Sequence, residues 1–223
     1  MKKLVRGDAP YCLAKFKHGK DNWSVIRDNG LGKDIWEKLN IMQNGFCAYC
    51  ECNLRKNNNF KGHIEHFIQR DIDPRLTFDW SNLFGSCNNP DRCGKYKDGN
   101  PVAKAIHLNK VCKPDKIDSR ELMLFLNSGK VRPRKNLTTL DTELADNTIA
   151  VFNLNGDSKL ENSRKFAINA EKSLADAYWE ELAKDDGSLA ELLQEILTEA
   201  LFRIKDFEYS TALEHLWRAN KQF

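Results

Sequence analysis

Between residues 47 and 93 the chain concentrates groups that hold metal ions and move protons. Cys47-Ala48-Tyr49-Cys50 is a C-x2-C pair, and Cys87-x5-Cys93 supplies a second. Tetrahedral zinc takes four soft ligands, and a tight turn presenting two of them sets up half the site. Thirty-six residues separate Cys50 from Cys87. Two such halves would clamp a loop-rich segment with little core of its own, so that metal-binding energy becomes folding energy. Cys52 is an alternative to Cys50, and Cys112 to Cys93, because the x5 spacing is wider than the usual x2. Cys12 has no nearby partner and reads as a small core residue.

Between the two pairs runs Gly62-His63-Ile64-Glu65-His66-Phe67. As a strand it places His63, Glu65 and Phe67 on one face, with Ile64 and His66 on the other. A carboxylate ligates a hard divalent cation, and a neutral imidazole beside it deprotonates a water. An ion opposite the histidine would stabilise the charge that develops on a phosphodiester. Downstream, Asn82 in Trp80-Ser81-Asn82-Leu83 supplies an amide to hold the loop and orient the imidazole. Arg70, Arg75, Arg92, Lys95, Lys97 and Lys104 are candidates to line a nucleic-acid track, with Trp80 and Phe84 nearby; for any single one, a solvated basic surface is the simpler reading. His18, His107 and His215 lie outside the motif and read as surface or half-buried histidines. Trp179 and Trp217 fit apolar helix stripes, in a core or at a partner interface.

The elements that must carry these residues are legible in outline. Trp36, Leu39, Ile41, Met42 and Phe46 predict a short amphipathic helix over 34–44, stopped by Asn44-Gly45. FCAYCECNL reads as a strand or zinc-knuckle turn, RKNNNFKG as a polar loop, and HIEHFI as a short β segment. QRDIDPRLTFDWSN reads as mostly loop, and SNLFGSCNNPDRCGKYKDGN as irregular around a helical turn, broken at Gly99-Asn100-Pro101. ELMLFLNSGKVRPR and TIAVFNLNG look like helix-then-strand or hairpin elements. FAINAEKSLADAYWEELA and SLAELLQEILTEALFRI carry apolar residues at helical spacing, separated by Asp185-Asp186-Gly187, and TALEHLWRA forms a last helix. The expected class is α+β, as one compact unit with a helical C-terminal half or as two units in close contact.

Composition bounds the rest. The 223 residues are 41% hydrophobic and 30% charged, with 12 Gly and 6 Pro, which excludes collagen-like, low-complexity and wholly disordered chains. No apolar run approaches a membrane span, and the lysines at positions 2 and 3 precede no apolar stretch, so a cytoplasmic location with no membrane partner is expected. Seven cysteines, five of them within 47 residues, then argue for reduced thiols and a metal site over a disulfide framework. The net charge of +3 conceals an asymmetry. Residues 1–135 carry 26 Lys and Arg against 15 Asp and Glu, a net of +11, whereas residues 136–223 carry 9 against 17, a net of −8. A basic segment suits phosphate and an acidic one a different partner; an acidic helical tail that merely balances the basic front is the plainer reading.

The order CxxC, Glu-His, Asn-Leu, then a Cys pair followed by Lys resembles the HNH endonucleases and their ββα-metal fold. FCAYCE, IEHFIQR, FDWSNLFGSC and CGKYKDG are similar to the Septu-type (PtuB-like) HNH nucleases of anti-phage systems, retron-associated ones included. KPDKIDSRELMLFLNSGKVRP and NTIAVFNLNGDSKLENSR extend the likeness, which covers roughly residues 35–165. The resemblance implies a zinc-stabilised ββα-metal core, at about 35–110 within the basic 1–135 segment, embedded in a mainly helical protein whose 136–223 region docks a partner. It implies structural Zn²⁺ on Cys47, Cys50, Cys87 and Cys93, Glu65 as ligand of a catalytic Mg²⁺ or Mn²⁺, His66 as general base, and Asn82 as support for the loop. One position departs: the last motif residue, usually His or Asn, is Gly94. Asn88, Asn89, Asp91 or water would replace it, and His63 is a further candidate, with a structural or substrate-contacting role equally open. Lys97, Lys95 and Arg70 would contact nucleic acid. The implied activity is hydrolysis of phosphodiester bonds in DNA, or in RNA such as a tRNA. The implied partners are an SMC/ABC-type (PtuA-like) ATPase and a retron reverse transcriptase with its msDNA. The alternative is a non-catalytic, zinc-stabilised nucleic-acid-binding or adaptor module.

Overall fold

The computed structural model describes residues 1–56 and 59–218. Asn57 and Asn58 of the expected polar loop, and the Ala219 end of the expected last helix, lie outside them. The chain runs through helices α1 (Ser24–Asp28) and α2 (Gly32–Gln43), the short strands β1 (Arg55–Lys56) and β2 (Asn59–Phe60), and strands β3 (Gly62–His66) and β4 (Leu83–Cys87). Helices α3 (Cys93–Gly99) and α4 (Pro101–Lys104) and the hairpin of β5 (Met123–Phe125) and β6 (Val131–Pro133) follow. Helices α5 (Thr139–Val151), α6 (Ser158–Lys184), α7 (Ala190–Ile204) and α8 (Ser210–Arg218) complete the order. The described residues are thus mainly helical, with three small antiparallel sheets. Among the described residues no helix is long and apolar enough to cross a membrane.

The part that positions the chemistry is the β3–β4 hairpin. Its ladder pairs Gly62 with Cys87, His63 with Ser86, Ile64 with Gly85, Glu65 with Phe84 and His66 with Leu83. Helix α2 lies across it: Ile35, Leu39 and Gln43 form a buried i, i+4 row. The Gln43 amide bonds both the N–H and the C=O of Gly85. Asn44, in left-handed conformation, ends that helix and turns the chain into the cysteine knuckle. Ala48 N–H then bonds Gly85 O, so the knuckle is strapped along β4.

Three expectations change here. RKNNNFKG, expected as a polar loop, carries the antiparallel pair β1–β2, Arg55 with Phe60 and Lys56 with Asn59. LFGSC is a strand and not irregular chain; all five of its residues are buried, so the alternation that marks a half-exposed strand is absent. TIAVFNLNG is the end of α5 and the turn after it, with Thr148 and Val151 buried at helical spacing. Its β-branched residues suggested a strand, but tertiary packing overrides that propensity. ELMLFLNSGKVRPR does form the hairpin β5–β6; Gly129 turns it at φ 86°, where an added Cβ would stand 2.1 Å from Glu161 O on α6.

Core and knuckle share one apolar cluster that extends from Cys47 and Tyr49 to Leu216 and Trp217. Tyr49 stacks on Phe152, just past α5, with centroids 4.0 Å apart. Glu51 Oε2 accepts the Thr211 N–H at 2.9 Å and caps α8. On α6, Asp157 caps the first turn and Leu160, Ile168, Ala175 and Tyr178 form the inward stripe. Arg203 of α7 grips Glu171 of α6 with two bonds of 2.6 Å. Trp217 is core, and Trp179 is half-buried with its indole N–H on Leu216 O. His215 is also buried, and not a surface group, because the amphipathic α8 turns it toward β5, where Nδ1 accepts the Phe125 N–H.

Candidate metal centre and carboxylate–histidine cavity

The Sγ atoms of Cys47, Cys50, Cys87 and Cys93 all lie within 4.8 Å of one another, and all four residues are buried. That donor set and spacing suit a metal such as zinc. The knuckle supplies Cys47 and Cys50, β4 ends on Cys87, and α3 begins on Cys93. Cys93 is held at φ 58°, with its N–H on Phe152 O. A left-handed non-glycine residue costs about 1–3 kcal/mol and persists only where its surroundings dictate it. Cys52 sits half-buried beside the knuckle, outside the four-thiol group, and Cys112 lies in the core with its N–H on Thr148 Oγ1.

Glu65 and His66 leave β3 on opposite faces. Glu65 points toward α3, and His66 joins Trp23, the ring centroids 4.5 Å apart and the planes near perpendicular. Both reach one cavity of about 430 Å³ that wraps the strand edge. Trp23, His63, Gln69, Arg70, Lys95, Asp98 and Lys104 also line it.

His66 is buried, and its Nε2 lies 3.0 Å from Thr77 O. A carbonyl only accepts, so Nε2 carries the proton and Nδ1 keeps the lone pair. Burial pulls the imidazole down to about 4, which keeps it neutral at neutral pH. Asn82 sets the loop that provides Thr77: its Oδ1 accepts the Ile68 N–H at 2.8 Å, and its Nδ2 donates to Ile68 O and Leu76 O. It is 2% exposed and spans the loop as a brace.

Glu65 is equally buried. Its Oε2 lies 3.1 Å from His63 Nε2 and its Oε1 2.9 Å from Lys97 Nζ. Burial by itself raises the carboxyl; the His63 hydrogen bond and the Lys97 charge overcome it and hold Glu65 below its usual value. Lys97 Nζ also lies 3.0 Å from His66 O and 2.5 Å from Asp98 Oδ1. Burial, then the Glu65 charge, pushes the Asp98 carboxyl up.

The expected phosphate contacts are therefore sorted by the fold. Arg70, Lys95 and Lys104 are exposed on the cavity rim. Lys97 is not at the surface: it is 1% exposed and points inward, because only that direction supplies it with three oxygens. Arg92 is turned away onto Asp157, and Arg75 onto Asp73. Trp80 and Phe84 are core, packed against the Arg6 guanidinium. Asn88 touches His63 Nδ1 at 3.0 Å, whereas Asp91 does not line the cavity and its carbonyl accepts from Asn153. Gly94 packs directly on Glu65: a Cβ there would stand 2.3 Å from Oε2. Trp23 and Thr77 lie outside the motifs, and Gln69 and Asp98 lie within IEHFIQR and CGKYKDG without an assigned role; folding brings all four to the site.

No protein-family model matches the chain. Over 116 residues, 49% of its length, it is 30% identical to the Septu protein PtuB of Bacillus thuringiensis. The aligned part is 42% of that protein, so the chain spans about two-fifths of the length of the curated relative it matches.

Proposed function

We propose that the protein is a metal-dependent HNH endonuclease that hydrolyses phosphodiester bonds in nucleic acid, as an effector of a Septu-like anti-phage system. The observation that carries this reading is the single cavity that joins Glu65, a neutral His66 and a rim of Arg70, Lys95 and Lys104. The hairpin β3–β4 followed by α3, with four cysteines at its base, supports assignment to a ββα-metal core. The likeness to a Septu PtuB protein supports the defence role and a PtuA-like SMC/ABC-type ATPase as partner; a retron reverse transcriptase and msDNA as further partners rest on the motif resemblance alone. The acidic 136–223 region is the proposed docking part.

In this mechanism His66 Nδ1 takes the proton of the attacking water while Thr77 O holds the ring through Nε2. Asn82 keeps that loop in place. Arg70, Lys95 and Lys104 bind backbone phosphates. Glu65 Oε2 and His63 Nε2 face each other as donors on the cavity wall and fit a Mg²⁺- or Mn²⁺-type ion that keeps several waters. Such an ion supplies charge stabilisation to the phosphoryl group and the leaving oxygen.

Cleavage of plasmid, single-stranded DNA and tRNA is expected with Mg²⁺ or Mn²⁺, and is expected to be lost with EDTA and in His66→Ala. Identical behaviour of wild type and His66→Ala, alone and with the partner ATPase, would remove the enzyme reading. Two observations favour the alternative, a non-catalytic zinc-stabilised binding module: Glu65 already carries an ammonium counter-ion, and Gly94 offers no ligand. Nucleic-acid binding that neither requires a divalent ion nor leads to cleavage would decide for it.

A further inference from the structure

Phe46 and Asn53 form an antiparallel bridge across the cysteine knuckle. On either side of it, Cys47 N–H bonds Cys52 O at 2.9 Å and Leu54 N–H bonds Gly45 O at 2.8 Å. That pattern makes Cys47 and Cys52 the next cross-strand pair, with both side chains on one face of the hairpin. Residues paired in this way have Cα atoms about 5.5 Å apart. A disulfide spans roughly 4.4–6.8 Å between Cα atoms, so the backbone already holds the two at bonding separation. Glu51, at φ 63°, makes the turn that brings Cys52 back beside Cys47.

The two thiols differ in surroundings. Cys47 is buried within the four-thiol group, whereas Cys52 stands outside that group and is half-buried. All seven thiols are free, and Cys12 and Cys112 are buried elsewhere. A tetrahedral ion on four thiolates has no place for a fifth. What Cys52 adds is contact with solvent, next to a metal ligand that can resolve it. Thiols that respond to oxidants combine those two features.

We propose that Cys52 is an oxidation site that opens the metal centre, by forming a disulfide with Cys47 when a peroxide reaches it. The O–O bond of the peroxide breaks as it oxidises the Cys52 thiol to a sulfenic acid, and one water leaves. The Cys47 thiolate then attacks the Cys52 sulfur. The S–S bond forms, the S–O bond breaks, and the departing hydroxide takes a solvent proton to become a second water. The two sulfurs have lost two electrons and the peroxide has gained them. Three thiolates remain for the ion, too few to close a structural site, and zinc is released. Glu51 lies between Cys50 and Cys52 and caps α8 through Thr211 N–H, so the change reaches the C-terminal helix. The inference rests on the four cysteines holding zinc and is independent of the nuclease reading.

Hydrogen peroxide is the probe, added to the zinc-loaded full chain, with released zinc read by a colour-forming chelator. Disulfides are mapped by mass spectrometry after cleavage at Glu51, which separates Cys52 from Cys47 and Cys50. Wild type is expected to release about one zinc per chain as a Cys47–Cys52 link appears, and to rebind it after reduction. Cys52→Ser and Cys52→Ala should bind zinc and melt as wild type does, and should release zinc about tenfold more slowly. Cys112→Ser should release it at the wild-type rate. The inference is overturned if both Cys52 variants fail to bind zinc, which would make Cys52 a ligand. It is equally overturned if they release zinc as fast as wild type, or if the mapped link joins Cys47 to Cys50. A chain that shows the Cys47–Cys52 link and zinc release but cleaves no nucleic acid leaves this site standing and removes the nuclease alone.

Discussion

The ammonium of Lys97 lies 2.9 Å from Glu65 Oε1, and the two side chains are 1% and 2% exposed. This buried pair joins α3 to β3 at the edge of the cavity, and its partners are not interchangeable with water. Removing one charge leaves the other desolvated and without its buried counter-ion; Glu65 would keep only His63, and Lys97 only the partly exposed Asp98 and the His66 carbonyl. Lys97→Met is therefore expected to destabilise the fold by about 3–5 kcal/mol, measured by urea unfolding. The double variant Lys97→Met/Glu65→Gln should recover much of that loss, because it leaves no orphan charge. Equal destabilisation of single and double variants would show that the pair is not coupled.

The cysteine centre makes a second expectation. Elemental analysis should find about one zinc per chain, and Cys47→Ser should lower both metal content and thermal stability. Loss of the metal should extend beyond the knuckle. Glu51 caps α8 through Thr211 N–H, and Tyr49 stacks on Phe152, so chelation should raise hydrogen exchange in α8 and at the end of α5. Protection unchanged in both places would confine the centre to a local role.

Asn82 offers a test of bracing as opposed to chemistry. Asn82→Asp keeps the acceptor for Ile68 N–H but places an oxygen against two carbonyls, Ile68 O and Leu76 O. A buried acceptor without a partner costs about 1–3 kcal/mol, so the variant should unfold earlier in urea. Because the same loop presents Thr77 O to His66, cleavage should fall more than stability alone accounts for. Wild-type kinetics in a destabilised protein would remove the link between the loop and the histidine.

Acid should act through buried neutral histidines. Burial lowers His215 to about 3 and His66 to about 4, both below the unfolded value of about 6.5. A depressed folded value means that the stability is fully present above pH 6.5 and is lost as pH falls toward the folded values. Each group should cost about 2–3 kcal/mol between pH 6.5 and 4.5. His215→Gln should make the pH dependence of the urea midpoint shallower over that window; an unchanged slope would show that His215 does not set it.

The residues that define the chemistry are short-range facts. C-x2-C, Glu65-His66 and the position of Asn82 can be read from spacing, because a turn or a strand fixes which neighbours share a face. Helix α2 and the long C-terminal helices were equally plain from their apolar periods. LFGSC was not, since a strand buried on every side shows no alternation. The end of α5 was missed because its β-branched run mimics a strand once the packing against Cys112 is out of view.

By itself the sequence narrowed the candidate sulfur ligands to the two Cys pairs, with Cys52 and Cys112 as alternatives, and it determined the adjacent carboxylate and imidazole and the division into a +11 and a −8 segment. Only the tertiary structure decided how the basic residues divide. Arg70, Lys95 and Lys104 face the cavity, Arg92 turns to Asp157, and Lys97 goes inside to Glu65. The reason is physical: a charge is placed by the oxygens that surround it after folding, and those belong to residues up to 65 positions away. The same holds for Gly94. Alone it looked like a missing ligand, and the fold shows it as the space in which the Glu65 carboxylate lies.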